Sequence, residues 1–372
     1  MNTDLAIRNE HDLQGAAGAL SLTDGGYDRQ PSTPREAGTH ELAAFRMLLA
    51  AVLAGTGVLT SSAAAAPSVV CNGSGRLCDL PLGSVAFATT HNSMSSPADK
   101  FLAPNQGEPI TKQLEHGIRG FQIDAFPGVA QKGRVYTDLS GPFGSQATDL
   151  PQALVATAER IHRELGAPPR GTPTEVYLCH SFCELGAIPM KTVAQQMRSF
   201  LDKHKSEVLA IVIEDYVPPS SILDVLNATH LSQMLFDVHT GQPLPTLGAM
   251  VRTGKRLLVS LENNDGGPTL PNAFTGLVEE TPYTFLRPSD LTDTASCRPN
   301  RGTGGAPVFQ LNHWLTPASR TTARAVNSAA LRARVKECTT VRGRPPTLVA
   351  VDFADNSDVV SVVNELNRGG QP

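Results

Sequence analysis

From Ser84 onward the chain alternates short apolar runs with longer segments of mixed polarity. The runs fall at 85–89, 120–124, 175–179, 208–213, 256–261, 307–311 and 347–352. They are nearly continuous and carry β-branched residues, the pattern of strands buried on both faces in a parallel sheet. Between them, Val193, Met197, Phe200 and Leu201 repeat at helical spacing. Ser220 stands where an N-cap would open a further helix, and 359–366 carries a similar apolar stripe. The stretch 265–300 is rich in Gly, Pro and Thr and reads as a long loop, a class that includes lids and binding loops.

Strands alternating with helices predict a parallel α/β architecture, either a closed barrel or an open doubly wound sheet. No G-x-G-x-x-G follows the first strand, which removes the main dinucleotide-binding signal. Polar residues decide between the two forms. His91, Asp124, His180, Glu214, Asn312 and Asp352 each sit at or just past the C-terminal end of an apolar run. In a barrel those ends converge on one face, whereas an open sheet would spread them along an edge. The expected fold is therefore α/β, a single TIM-type (β/α) barrel, irregular or incompletely closed, spanning 66–372.

Ahead of it lie a polar leader, 1–46, and an apolar segment, 47–65. A basic residue, a short apolar stretch and small residues ending in an A-x-A site have the layout of a secretory signal. A signal-anchor left uncleaved, holding the protein at the cell surface, is the alternative, and a start codon placed too far upstream would explain the leader. Beyond residue 65 the chain carries 27 basic and 28 acidic residues, a balance that gives no indication of a nucleic-acid partner. All six cysteines lie in this part. Six allow fifteen connectivities, and proximity in sequence favours Cys71–Cys78, Cys179–Cys183 and Cys297–Cys338. A metal site at Cys179-His180-Ser-Phe-Cys183 competes, but no second ligand pair is evident, and an oxidising compartment favours disulfides.

The strand-end clusters carry the chemistry: Thr89-Thr-His91-Asn-Ser93, Gly117-Ile-Arg-Gly-Phe-Gln-Ile-Asp124, Tyr177-Leu-Cys-His180 and Ile211-Val-Ile-Glu-Asp215. Two histidines suit proton transfer to and from the oxygens of a phosphodiester. Carboxylates and an amide oxygen suit a hard cation that offsets charge on the phosphate. Alternation along a strand points only one of Glu214 and Asp215 inward, and Glu214 is chosen by position. No G-x-S-x-G, H-E-x-x-H or Walker loop offers another chemistry.

Taken in order, Thr-His91-Asn92, Gly-Ile-Arg-Gly-x-x-x-Asp124, Leu-Cys-His180 and Ile-Glu214-Asp resemble the X-type catalytic domain of phosphatidylinositol-specific phospholipases C, especially its small secreted bacterial and fungal members. Leu311-Asn-His-Trp314 and the stretch from Val351 to Asp358 are similar to its closing strands. The resemblance implies that His91 assists attack by an inositol hydroxyl and that His180 is the general acid for the departing oxygen. It implies calcium held by Asn92, Asp124 and Glu214, with Gln122 where the metal-dependent animal enzymes carry a glutamate. An amide oxygen can bind calcium but brings no charge. Asn312 and His313 are candidates for the substrate pocket, Asp352 for the pocket or for orienting an arginine or histidine, and Trp314 for lipid contact. The implied protein is a monomeric phosphodiesterase that meets a phospholipid substrate at a membrane surface. Glycerophosphodiester or sphingomyelin cleavage is the enzymatic alternative, and a catalytically inactive lipid- or glycan-binding barrel is the non-enzymatic one.

Overall fold

The computed structural model describes residues 69–138, 150–239 and 241–370, so the leader and the 47–65 segment lie outside the described residues. Within them the strands are β1 (Phe87–Thr90), β2 (Gly120–Gln131), β3 (Arg134–Thr137), β4 (Glu175–Leu178), β5 (Ile188–Pro189), β6 (Leu209–Asp215), β7 (Leu257–Leu261), β8 (Val278–Glu280), β9 (Val308–His313) and β10 (Leu348–Val351). Seven run parallel in the order β8-β9-β10-β1-β2-β6-β7. No ladder joins β7 to β8 among the described residues, so the row is barrel-like without a closed ring of hydrogen bonds.

Three expectations need correction here. The run at 175–179 does form a strand, but β4 lies antiparallel to the distal half of β2, with Ala125 opposite Leu178. The physical cause is the length of β2: its twelve residues outrun the barrel, and the overhang pairs with β3 and β4. The stretch 265–300 is not all loop, because it holds β8 and the short helix Pro288–Thr292. At three residues, β8 is too short to show a period in sequence. The helix expected to start at Ser220 starts instead with Pro219 at its first position, where a fixed φ and a missing N–H suit a helix start.

Side-chain parity organises the barrel. Successive residues of a strand face opposite sides. Along β6, Leu209, Ile211 and Ile213 pack outward with Met197, Leu201, Ile222 and Leu226 of the surrounding helices Met190–Lys203 and Pro219–Ala228. Ala210 and Val212 belong instead to the cluster with Phe87, Leu258, Val278, Val308 and Leu348, one inward residue each from β1, β7, β8, β9 and β10. Leu77, Leu82 and the Cys71–Cys78 disulfide join that inner cluster from the segment preceding β1. Counting up in twos from these apolar positions gives the polar residues at the other end. Phe87 leads to His91, Val212 to Glu214, Leu258 to Glu262, Val278 to Glu280, Val308 to Asn312 and Leu348 to Asp352. The same chain of inward positions thus begins as core and finishes as a polar mouth.

Candidate active site

A cavity of about 600 Å³ opens at this mouth, lined by His91, Asn92, Gln122, Asp124, His180 and Glu214, among others. Each of its working groups reaches it by a distinct local device. His91 follows β1 directly, and its Nδ1 lies 2.9 Å from Asp352 Oδ1, the residue after β10. Asp352 is buried and also accepts from Asn105 Nδ2 at 3.2 Å. The Trp314 ring stacks on the imidazole at 3.8 Å with an interplanar angle of 5°. A carboxylate on one edge and an indole on one face leave His91 Nε2 as the nitrogen directed to the cavity.

His180 arrives from the opposite direction. Because β4 is antiparallel, its C-terminal end returns to the barrel mouth, where the Cys179 N–H donates to the Asp124 carbonyl at 3.2 Å. The Cys179–Cys183 disulfide brackets the histidine. His91, His180 and Asp352 are each followed by a non-glycine residue with positive φ: Asn92 at 45°, Ser181 at 62° and Phe353 at 49°. Left-handed backbone at such residues carries a cost and persists where surrounding structure imposes it. Here it turns the chain away at once after delivering a site residue.

The two imidazoles meet at one side chain. His91 Nε2 and His180 Nε2 each lie 3.2 Å from the same Asn92 amide atom, while the other amide atom lies 3.0 Å from both Asp124 carboxylate oxygens. With the NH2 toward Asp124, the amide oxygen faces both imidazoles and accepts from whichever Nε2 carries a proton. With the oxygen toward Asp124, three oxygens converge without a proton among them, an arrangement that a cation would complete. Gln122 Oε1 is buried without a partner. Asp124 and Glu214 are opposite each other in the β2–β6 register. Among the described residues no group of three or more His, Cys, Asp or Glu side chains is arranged for a metal. The set that fits a hard cation is mixed, two carboxylates and two amides, and its donors are all oxygens, as calcium prefers. Glu214 accepts from the Tyr216 hydroxyl. Burial, then the Glu214 charge, pushes that phenol well above its ordinary range. Asp215, one step along, is buried on the outer side and accepts from the Asn263 N–H at 2.8 Å and Asn264 Nδ2 at 2.7 Å.

Of the far wall, Asn312 alone was named from the sequence. Arg301, from the loop after β8, donates to Glu262 Oε2 at 2.7 Å and to Glu280 Oε1 at 2.5 Å. Tyr283 faces the same guanidinium at 5.0 Å. Burial pushes the Glu262 carboxyl up to about 8, with Arg301 opposing and the Glu214 and Glu280 charges adding to it. Glu262 shows the same strand-end signal as Glu214, one residue past an apolar run, and could have been found by it. Glu280 was hidden by the brevity of β8, and Arg301 carries no local signal.

Three expected site residues are placed differently. Asn312 lines the cavity floor, but its Nδ2 donates to Glu280 Oε2 at 2.9 Å and its Oδ1 accepts from Gln310 Nε2 at 3.0 Å, so it buttresses the far wall. His313, one position on, must face the other way. It is fully buried outside the cavity, its Nε2 donating to the Val326 carbonyl at 2.9 Å. Burial, reinforced by Arg334, lowers it to about 3, so the ring stays neutral. Trp314, expected at a lipid surface, is buried against His91. Asp352, by contrast, lies against His91, one of the two placements expected for it. The three disulfides join Cys71–Cys78, Cys179–Cys183 and Cys297–Cys338, the pairing that proximity favoured.

A parallel barrel-like sheet with paired imidazoles and carboxylates at its C-terminal mouth places the chain in the general class of barrel folds that carry their sites on that face. The family profile described as PI-PLC X 1 matches residues 161–367, more than half of the chain, and the chain belongs to the PI-PLC X family. That stretch holds His180, Glu214, Glu262, Glu280 and Asp352, whereas His91 and Asp124 lie upstream of it. PI-PLC X domain-containing protein 1 of Arthroderma benhamiae is 26% identical over 343 residues, covering 86% of this chain and 96% of its own. A PI-PLC X domain-containing protein of Arabidopsis thaliana is 24% identical over 337 residues, covering 85% of this chain and 67% of its own. The solved phosphatidylinositol-specific phospholipase C of Listeria monocytogenes aligns over 82% of this chain and 96% of its own at 16% identity, with a TM-score of 0.46.

Proposed function

We propose that this protein is a phosphodiesterase that removes the headgroup of a phosphatidylinositol-type lipid by acid/base catalysis with His91 and His180. The observation that carries the reading is the convergence of both Nε2 atoms, each 3.2 Å from the Asn92 amide, on one cavity with oxygen donors beside it. Asp352 accepts the Nδ1 proton of His91, which leaves Nε2 as the basic lone pair and fixes the tautomer. His91 Nε2 takes the proton of the inositol hydroxyl next to the phosphate, and that oxygen attacks phosphorus. The bond from phosphorus to the glycerol oxygen breaks, and His180 Nε2–H gives its proton to the departing alkoxide. The products are a cyclic inositol phosphate and diacylglycerol, with one proton taken up and one released. Asp124, Glu214, Asn92 and Gln122 would hold calcium, whose charge would offset that of the phosphate.

Export belongs to the same proposal: 47–65 serves as a secretory signal or a retained anchor. Three disulfides support it, since such bonds persist in oxidising compartments.

The test is release of inositol phosphate from phosphatidylinositol vesicles by the 66–372 protein, with calcium and with a chelator. Calcium-dependent release is the expected result. Release that survives the chelator removes the metal assignment and keeps the histidines. Absence of release with intact vesicle binding would favour a binding barrel instead.

A further inference from the structure

A second cavity, of about 340 Å³, lies beside the first, and His180 lines both. Its walls are of another kind. Leu102, Leu150, Leu154, Pro317 and Phe353 are among its lining, drawn from the segment after β1, the start of the helix Gln152–Leu165 and the turns after β9 and β10. The charged residue among its lining, Arg320, is paired with Asp355 at 2.7 Å. Leu102 is 50% exposed, among the largest exposures of an apolar side chain in the described residues. An apolar cleft of this size falls within the range of small-molecule sites, ~300–1,000 Å³. Its position next to the proton donor is what identifies an occupant.

We propose that this cavity is an acyl-chain site that takes a hydrocarbon tail of the leaving group. The inference rests on His180 acting at the leaving oxygen. If His180 protonates that oxygen, the carbon skeleton attached to it departs from the phosphate past His180. On one side of His180 the cavity carries Asp124 and Glu214; on the other the lining is mainly leucine, proline, alanine and phenylalanine, with Asn105, Ser319 and Arg320 as its other polar members. A glycerol-linked chain is the part of the substrate whose chemistry matches those walls, because apolar surface is stabilised by removal from water. A polar leaving group would gain nothing there. The site therefore selects for lipid over headgroup-only diesters, and it does so on single molecules as well as on membranes.

Two soluble substrates separate this from adsorption to a surface: monomeric dihexanoyl-phosphatidylinositol and glycerophosphoinositol, which carries no chains. Burying a few methylenes makes the expected preference in kcat/KM about 100-fold for the chain-bearing substrate. Leu154→Trp, which fills the cavity, and Leu102→Glu, on its exposed wall, should each reduce that ratio about tenfold. The two variants enter from different elements, so a folding defect in one leaves the other. An unchanged ratio in both overturns the proposal, as does a wild-type ratio near unity. Calorimetric titration with dihexanoylglycerol keeps the two readings apart. Binding that Leu154→Trp abolishes, in a protein without phosphodiesterase activity, supports the cavity and removes the function proposed above. Activity without dihexanoylglycerol binding does the reverse. A dimer dissolved by Leu102→Glu would assign the surface to a second copy of the chain and also overturn the proposal.

Discussion

The two walls of the central cavity are built from the same inward-facing strand positions, yet they are chemically unlike. On the wall from β1, β2 and the end of β4, His91 is held from behind with its Nε2 turned to the cavity. Asp352 and Trp314 fix His91 while its Nε2 faces the cavity, and Asn92 touches both imidazoles. On the wall from β7, β8 and β9, the charges satisfy one another: Arg301 joins Glu262 and Glu280, and Asn312 is fully engaged behind them. Groups that must exchange protons cannot have all their partners supplied by the protein, whereas groups that set shape and field can. On the function proposed above, the first wall would carry the chemistry and the second would set the shape of the pocket.

Removing either imidazole is the largest way to test that division. His91→Ala or His180→Ala should reduce kcat by about 10³-fold, within the range for general acid–base groups, with vesicle binding and melting temperature preserved. A comparable loss of stability would place the histidines with the second wall. Arg301→Gln should act in the opposite sense, chiefly on stability. It leaves Glu280 without its cation, and breaking a buried pair costs about 3–5 kcal/mol. Arg301 keeps 37% of its side chain in solvent, so a loss of about 2 kcal/mol in urea titration is expected. Asp352→Asn should lower kcat by about 10–100-fold with little change in KM, because it alters how His91 is held rather than what touches substrate. Its diagnostic readout is a displaced acidic limb in the pH–rate profile.

The smallest effect is a pH dependence of the second wall. Glu262 titrates near 8 in the folded protein against an ordinary 4.5, so between those values the folded state holds a proton that the unfolded chain has released. Its contribution to stability is complete below about 4.5 and is lost as pH rises through about 8. The slope is at most about 1.4 kcal/mol per pH unit. Melting temperatures of the wild type should fall across this window, and those of Glu262→Gln, which cannot ionise, should fall less. Equal slopes would show that Arg301 keeps Glu262 ionised throughout.

Much of the first wall was legible because its residues follow apolar runs whose direction and period are readable one strand at a time. Alternation reduced Glu214 and Asp215 to one inward residue and position selected Glu214; the structure places Glu214 at the cavity and Asp215 on the outer side. The same rule, applied one strand further, would have separated Asn312 from His313. What stayed hidden depended on contacts distant in sequence. The reversal of β4 is set by the overhang of β2, and Arg301 acquires its role only when β7 and β8 bring Glu262 and Glu280 to it. A three-residue strand such as β8 has too few positions to announce itself.

Trp314 is the sole tryptophan of the chain, and it lies flat against His91. The protein therefore carries its own optical probe at the first wall, with no label and no background from elsewhere. A protonated imidazole quenches an indole by drawing electron density from its excited state, whereas a neutral one does so far less. Emission at 295 nm excitation should thus follow the charge on His91 as pH is varied. It should also change when a ligand displaces water from the same face. The stacking that holds the imidazole in place makes its protonation visible in a cuvette.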